Sequence, residues 1–321
     1  MVVGLKRGGA PLRVGLFVGR ERSFPEALIA EVHARDAGVT VELAEMSAPS
    51  ALEPSPYDVL VDRISHDVVC FQPYLKLAAL YGARVINNPF WRIVDDKFFN
   101  AGLAARLGIA VPKTRLLPQK SYGPDTTAGS LRNLRYVDWN ELAADLGFPM
   151  FIKPHWGGGW KDVSRAKDMR ALMVAYDASG AQTMIVQEEI VWTQYIRCIV
   201  IGQRDVRPAL WDPRLTHLDR YKRAHETMPA MTPELEQRVL DDALRITQAL
   251  GYDMNTVEFA VRDGIPYAID YMNSAPDFDV SSLGEAHFEW VVRRMAELVI
   301  DAANTQSPVR NRWDELLRSS R

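Results

Sequence analysis

Cysteine is scarce in this 321-residue chain: Cys70 and Cys198 are its only two, far apart and in no metal-binding spacing. That excludes a disulfide scaffold and a cysteine-based zinc site, and both thiols, set among apolar residues, are expected to be reduced core residues of a cytoplasmic protein. Long apolar runs are also lacking. The stretch Val14 to Val18 that follows Lys6 and Arg7 is too short for a signal peptide, and nothing approaches a membrane span. Neither charge sign dominates. The net charge of −3 leaves no basic footprint for nucleic acid or an anionic membrane. No GxxxxGK[ST] loop is present and no GxGxxG follows the first apolar run, so the two commonest phosphate cradles are missing. His155, His217, His225 and His287 show no metal spacing, and no Ser-His-Asp or Cys-His nucleophilic set can be assembled. Internal repeats and low-complexity tracts are absent.

What remains is the ordinary composition of a globular protein, 47% apolar and 25% charged, with length for two or three domains. Apolar runs at 12–18, 39–45, 57–64 and 83–87 alternate with helical spacing at 24–37 and 70–81, each helix stopped by glycine (Gly38, Gly82). Strands alternating with helices predict a doubly wound parallel sheet over residues 1–88. Ligands of such sheets lie at the carboxyl ends of strands, which puts Arg20, Arg22 and Arg63 at a site edge unless they are merely solvated. Asn88-Pro89 marks a boundary. A helix is predicted over 95–107, a strand after GIAVPKT (108–114), a polar crossing loop over 119–138 and a helix over 139–147. Strands follow at 149–154, 183–190 and 195–202, then a polar stretch around 212–230, an amphipathic helix at 232–250 and a last helix at about 284–304.

Four stretches carry chemistry. Val257 to Asp277 reads as a hairpin turning at Arg262-Asp263-Gly264, with Glu258 in one strand, Asp270 in the other and Asn273 just beyond. Two carboxylates and an amide suit a hard cation such as Mg²⁺, provided both acids share a face. A two-residue turn would separate them, so the hypothesis requires a three-residue turn or a bulge. A hairpin with charges on its wet face would carry the same residues. Lys153 closes the strand PMFIKP and precedes Gly157-Gly158-Gly159-Trp160, a run that either lets backbone N–H groups approach an anion or is a plain loop. Gln187-Glu188-Glu189-Ile190 ends a strand in carboxylates, where rigid main chain can meet a purine or the chain can turn to solvent. Arg197 interrupts the strand YIRCIVIG, and a buried arginine must meet an anion, whether ligand or structural carboxylate.

The order of these pieces resembles the ATP-grasp superfamily over roughly residues 85–300: Asp96-Lys97 before LGIAVPKT, FIKP with the glycines, VQEEI, Tyr195-Ile196-Arg197, and Glu258 with Asp270 and Asn273. The resemblance implies an α/β chain, its N-terminal domain (1–88) followed by a central and lid subdomain (89–190) and a C-terminal subdomain (191–321) built on two antiparallel sheets. It implies ATP between those sheets, with Lys97 and Lys153 on phosphates and Gly157, Gly158, Gly159 and Trp160 as a lid. Gln187, Glu188, Glu189 and Ile190 would face adenine, Tyr195 would stand at the ribose position, and Glu258, Asp270 and Asn273 would hold one or two Mg²⁺ (Mn²⁺ in its place). Arg197 would neutralise phosphate or acyl-phosphate charge, and Arg214, in the stretch assigned to acceptor recognition with Asp212 and Arg220, is the second candidate catalytic arginine. The implied activity is a carboxylate–amine ligase working through an acyl phosphate on small-molecule or peptide substrates, with a homodimer compatible and neither nucleic acid nor membrane as partner.

This chain departs from the pattern in three places. Tyr195 replaces the acidic residue common before the Ile-Arg pair; Asp270-Tyr271-Met272-Asn273 is one residue longer than Glu-x-Asn; and Thr256 stands where D-alanine–D-alanine ligases carry arginine. The pattern is nearer the glutathione synthetase and glutamate-adding ligases. Two other functions compete: a small-molecule kinase acting on a hydroxyl, which a basic N-terminal cluster would favour, and a nucleotide-binding module without catalysis.

Overall fold

A computed structural model describes residues 11–90 and 96–305. Lys6, Arg7, Asp95 and the charged tail lie outside them. Strands β1 (Leu12–Phe17), β2 (Val39–Leu43), β3 (Val59–Asp62) and β4 (Arg84–Ile86) form a parallel sheet in the order β2-β1-β3-β4. Every residue of β3 is buried, as a central strand covered on both faces requires. Helix α1 (Ser23–Ala34) packs on one face through Phe24, Leu28 and Val32, and α2 (Phe71–Leu80) on the other through Leu75 and Ala78.

A second, antiparallel sheet joins β5 (Thr114–Leu117), β6 (Met150–Pro154), β7 (Ser164–Ala166) and β8 (Met184–Glu188) in the order β5-β8-β6-β7. Helices α4 (Trp139–Leu146) and α5 (Met169–Ala178) close its core, each begun by an aspartate, Asp138 or Asp168, whose carboxylate accepts from first-turn N–H groups. Residues 119–138 cross the surface without helix or strand, tied by Gln119 to the Ala181 carbonyl and by the Ser121 N–H to that of Gly180.

The third sheet, β10-β9-β11-β12, is also antiparallel: β9 (Gln194–Ile201), β10 (Asp205–Leu210), β11 (Met254–Arg262) and β12 (Ile265–Asp270). Alternation gives its two faces different work. Ile196, Cys198 and Val200 of β9 and Val257, Phe259 and Val261 of β11 pack under α3 (Lys97–Arg106) and α7 (Pro233–Leu250). Helix α7 begins at the Thr232 cap with Pro233 behind it and ends at Gly251, whose φ of 68° is the left-handed C-terminal stop. On the opposite face, Ile199, Ile201 and Met254 join the first sheet's core, and the last helix, α9 (Glu285–Asn304), packs there against α1; the single turns α6 (Ala224–Thr227) and α8 (Val280–Leu283) precede α7 and α9. The rest of that face carries Tyr195, Arg197, Thr256 and Glu258.

One expectation fails here. Cys70 is exposed at the start of α2, and only Cys198 is a core residue. Strand β10 falls in the interval 203–211, which sequence reasoning left unassigned; Arg207 and Pro208 inside it mask the alternation of an edge strand.

Candidate active site

The hairpin turns on two residues, Asp263 and Gly264, both at positive φ (54° and 73°), as a tight turn between right-twisted strands demands. That turn alone would set Glu258 and Asp270 on opposite faces. A bulge restores them: Phe259 pairs with Ala268 but Glu258 with Asp270, so Ile269 is the extra residue. The two carboxylates therefore stand directly across the strand pair, on the face turned away from α7.

Around Glu258 the neighbouring strand supplies partners. The Tyr195 hydroxyl donates to Oε2 at 2.9 Å, and Arg197 Nε lies 3.6 Å from Oε1. Arg197 donates from Nη2 to Thr256 Oγ1 at 3.0 Å and lies over the Trp211 ring at 5.3 Å, while its buried Nε makes no hydrogen bond within the described chain. Burial raises the Glu258 carboxyl above its ordinary range; the charge of Asp270 adds to this and that of Arg197 opposes it. The same burial, with the Glu258 charge behind it, pushes the Tyr195 hydroxyl well above its usual value. Lys153 looks onto both acids from β6. Burial lowers its ammonium to about 8, against the pull of Asp270 and Glu258 and with the push of Lys97.

Lys97 occupies the first turn of α3, begun by Asp96, whose Oδ1 accepts from Phe98 and Phe99 N–H at 2.8 and 3.1 Å. Its N–H donates to the His155 carbonyl at 2.9 Å and its ammonium to the Gly157 carbonyl, so α3 is tied to the glycine run. The run is exposed, and Gly157 (93°), Gly159 (70°), Trp160 (61°) and Asp162 (56°) all hold positive φ. Two non-glycine residues in that region mark stored backbone strain.

At the end of β8, Gln187 is buried and donates to Thr114 Oγ1 at 3.0 Å. Glu188 accepts from Arg262 at 2.8 Å and from the Lys113 N–H at 3.2 Å, linking the second sheet to the hairpin of the third. Glu189 pairs with Arg165 of β7. Ile190 is buried beside Tyr195 and Trp211. Asn273 stands past the end of β12, its N–H held by Asn255 Oδ1 at 2.9 Å.

The geometry thus brings Lys97, Lys153, Arg197, Tyr195, Glu258 and Asp270 into one neighbourhood. Tyr195, which the resemblance puts at a ribose, has its hydroxyl on Glu258. Arg214 forks onto the buried Asp212 at 2.8 and 2.7 Å and lies over Trp192 at 4.5 Å, a ring that itself packs on Tyr195; its side chain is 59% exposed. Arg63 is not solvated but buried on Glu21, although Arg20 and Arg22 are exposed. Asn255 and Trp211 are not among the residues read from the sequence, and Thr256 is there only as a departure from the D-alanine–D-alanine ligase pattern. Asn255-Thr256 ahead of an apolar strand was the available signal, since both are buried polar residues.

No group of three or more His, Cys, Asp or Glu placed to hold a metal ion exists among the described residues. A cation here would rest on two carboxylates and an amide, with the rest of its shell from substrate oxygens, a donor set that suits Mg²⁺. The raised Glu258 carboxyl beside Asp270 fits that cation, whose charge would offset their repulsion.

No family model matches the chain. It is 27% identical over 160 residues to a D-alanine–D-alanine ligase of Polynucleobacter asymbioticus, covering 46% of this chain and 47% of that one. It is 26% identical over 223 residues to the vancomycin C-type resistance protein VanC1 of Enterococcus gallinarum, covering 65% and 60%. The chain therefore spans between about half and three fifths of these curated relatives. Among solved structures, a D-alanine–D-alanine ligase from Bacillus anthracis complexed with ATP superposes with a TM-score of 0.62 at 18% identity, over 91% of this chain and 97% of that one. A RimK domain ATP-grasp protein from Sphaerobacter thermophilus superposes at 0.61, also at 18% identity, over 91% and 100%. The Polynucleobacter relative and the Bacillus anthracis structure thus carry the name of the branch that Thr256 argues against.

Proposed function

We propose that this chain, which has the ATP-grasp fold, is an ATP- and Mg²⁺-dependent ligase joining a carboxylate to an amine. The observation that carries the reading is the bulge that sets Glu258 opposite Asp270, facing Lys153 and Arg197. Phosphoryl transfer needs positioning and neutralisation more than a protein nucleophile, so the missing triad is no objection. Lys97 and Lys153 would hold phosphate oxygens, and the 157–160 run would cover them. Main chain at 188–190 would meet the adenine, and Glu188 keeps lone pairs for its amine beyond the two bonds it now accepts. Mg²⁺, when bound by Glu258, Asp270 and Asn273, would neutralise charge on the β- and γ-phosphates.

The chemistry then runs between substrates. A carboxylate oxygen attacks the γ-phosphorus, ADP leaves, and the amine displaces phosphate from the acyl phosphate, losing a proton as the amide forms. Arg197, with Nε near Glu258 but free of a hydrogen bond among the described residues and Trp211 against its face, is the group to neutralise the transferring phosphoryl or acyl phosphate. The kinase alternative loses support, because Arg63 of its basic cluster is spent on Glu21.

The test is ADP release screened over amino acids, short peptides and polyols. Release that requires both an amine and a carboxylate is the expected result. Release with a polyol alone makes the protein a kinase, and none under any condition, with nucleotide bound, makes it a binding module.

A further inference from the structure

The segment that leaves β12 toward Asp277 is held at its main-chain polar groups by residues from three places in the chain. Asn255 of β11 donates from Nδ2 to the Tyr271 carbonyl at 3.0 Å and accepts the Asn273 N–H. Asn87, just past β4 in the first sheet, donates to the Ser274 carbonyl at 3.2 Å and the Met254 carbonyl at 2.8 Å, and accepts from the Asp253 and Met254 N–H groups at 2.6 and 2.9 Å. Arg63, just past β3, donates to the Pro276 carbonyl. Its guanidinium also forks onto Glu21, approaches Met254 Sδ at 3.8 Å and lies over the rings of Phe24 (5.0 Å) and Phe278 (4.6 Å). Its side chain is 3% exposed.

Burying a guanidinium this deeply is costly unless its donors are all used. Glu21 and the two rings satisfy the charge; the bond to the Pro276 carbonyl is the one that reaches across to the segment carrying Asn273. Asn87 spends its amide the same way, fixing the first residues of β11 and the Ser274 carbonyl at once. Both residues lie at carboxyl ends of the first sheet's strands, so that sheet sets where the chain goes after Asp270. The extra residue in Asp270-Tyr271-Met272-Asn273 makes this control necessary, because strand pairing no longer dictates the direction of Asn273 once β12 has ended.

We propose that Arg63 and Asn87 are positioning residues for the metal ligand Asn273, acting from the first sheet through the carbonyls of Pro276 and Ser274. The proposal rests on the functional reading above. Outer residues that orient metal ligands commonly change metal affinity by roughly 10- to 100-fold.

The test titrates Mn²⁺ into the full chain with ADP present, following free Mn²⁺ by electron paramagnetic resonance, and measures ADP affinity without metal in parallel. Arg63→Lys keeps the charge on Glu21 and removes the fork that reaches Pro276. Its Mn²⁺ affinity is expected to fall roughly 10-fold or more, with metal-free ADP affinity unchanged. In the Asn273→Ala background the same change is expected to add little, because both act on one ligand. Should Arg63→Lys fail to fold by circular dichroism, Asn87→Asp, which keeps the acceptor and removes the donors, is measured in its place. Unchanged Mn²⁺ affinity, or full additivity with Asn273→Ala, overturns the proposal. Loss of Mn²⁺ binding in Glu258→Gln alongside normal binding in Asn273→Ala overturns it while sparing the functional reading. A wild-type chain that binds no Mn²⁺ with ADP overturns both.

Discussion

Tyr195 donates its hydroxyl to Glu258 at 2.9 Å across the β9–β11 pair, and so aims one oxygen of a carboxylate that has Asp270 directly opposite it. A buried carboxylate oriented by a neutral donor keeps its other lone pairs for a cation. Tyr195→Phe removes the donor and leaves the ring packed between Trp192 and Trp211. We expect the Mg²⁺ concentration for half-maximal activity to rise roughly 10- to 100-fold, with much of kcat kept at saturating metal. An unchanged Mg²⁺ titration would sink this role.

Lys153 offers a pH test. Burial depresses its ammonium from 10.5 to about 8, so near pH 8 the unliganded protein holds it only partly protonated. Between about 8 and 10.5 the unfolded chain binds more protons at this residue than the folded one, so its contribution makes stability rise with pH across that window. Phosphate brought beside it would raise its pKa again. ATP binding near pH 8 should therefore take up protons, seen as a dependence of the calorimetric heat on the buffer's ionisation enthalpy. Lys153→Met should remove the uptake; equal uptake in that variant would assign it to another group.

The sequence was legible where the pattern is periodic. The parallel sheet, both helices on it and the hairpin strands follow from alternation and glycine stops, and each lies within a few residues of its expected place. The requirement that Glu258 and Asp270 share a face predicted an irregularity, and the bulge at Ile269 is that irregularity. What stayed hidden were contacts between distant segments. Nothing local distinguishes Arg63, buried on Glu21, from the exposed Arg20 and Arg22. Nor does anything local say that the Tyr195 hydroxyl meets Glu258, 63 residues away. The Arg63 and Tyr195 partnerships are decided by loop packing and by which strand lies beside which, and a single sequence carries neither.

Arg197 and Arg214 separate by what their loss costs. Arg197→Ala removes the charge beside Glu258 and should abolish turnover. Arg214→Ala should act on stability. Hydrogen bonds from Arg214, then Thr227, hold the Asp212 carboxyl down at about 2 in the folded chain, below its ordinary 3.8. A depressed carboxyl contributes stability that is present above pH 4 and lost as pH falls towards 2. Because the Arg214 side chain is 59% exposed, screening holds the expected loss at neutral pH to about 1 kcal/mol. Denaturant midpoints of wild type and variant should converge as pH drops below 4. Abolished turnover in a stably folded Arg214→Ala would place it in the catalytic set.

The glycine run can be tested residue by residue, because space and conformation are separable there. A Cβ added at Gly157, Gly158 or Gly159 meets nothing within 4 Å, so none of the three is needed for room in this conformation. Gly157 and Gly159 hold φ of 93° and 70°, however, and Gly158 does not share that region. A side chain in left-handed backbone costs roughly 1–2 kcal/mol. If the loop covers phosphates as proposed, that cost should weaken its hold on them and raise KM for ATP. It should leave the melting temperature nearly unchanged, since the exposed run packs no core. Gly157→Ala and Gly159→Ala are thus expected to raise KM for ATP several-fold, by roughly the factor that 1 kcal/mol represents. Gly158→Ala should stay near wild type if N–H groups alone meet the phosphates. Equal effects at all three positions would mean that phosphate, not backbone strain, crowds the loop, and no effect at any of them would remove the run from the nucleotide site.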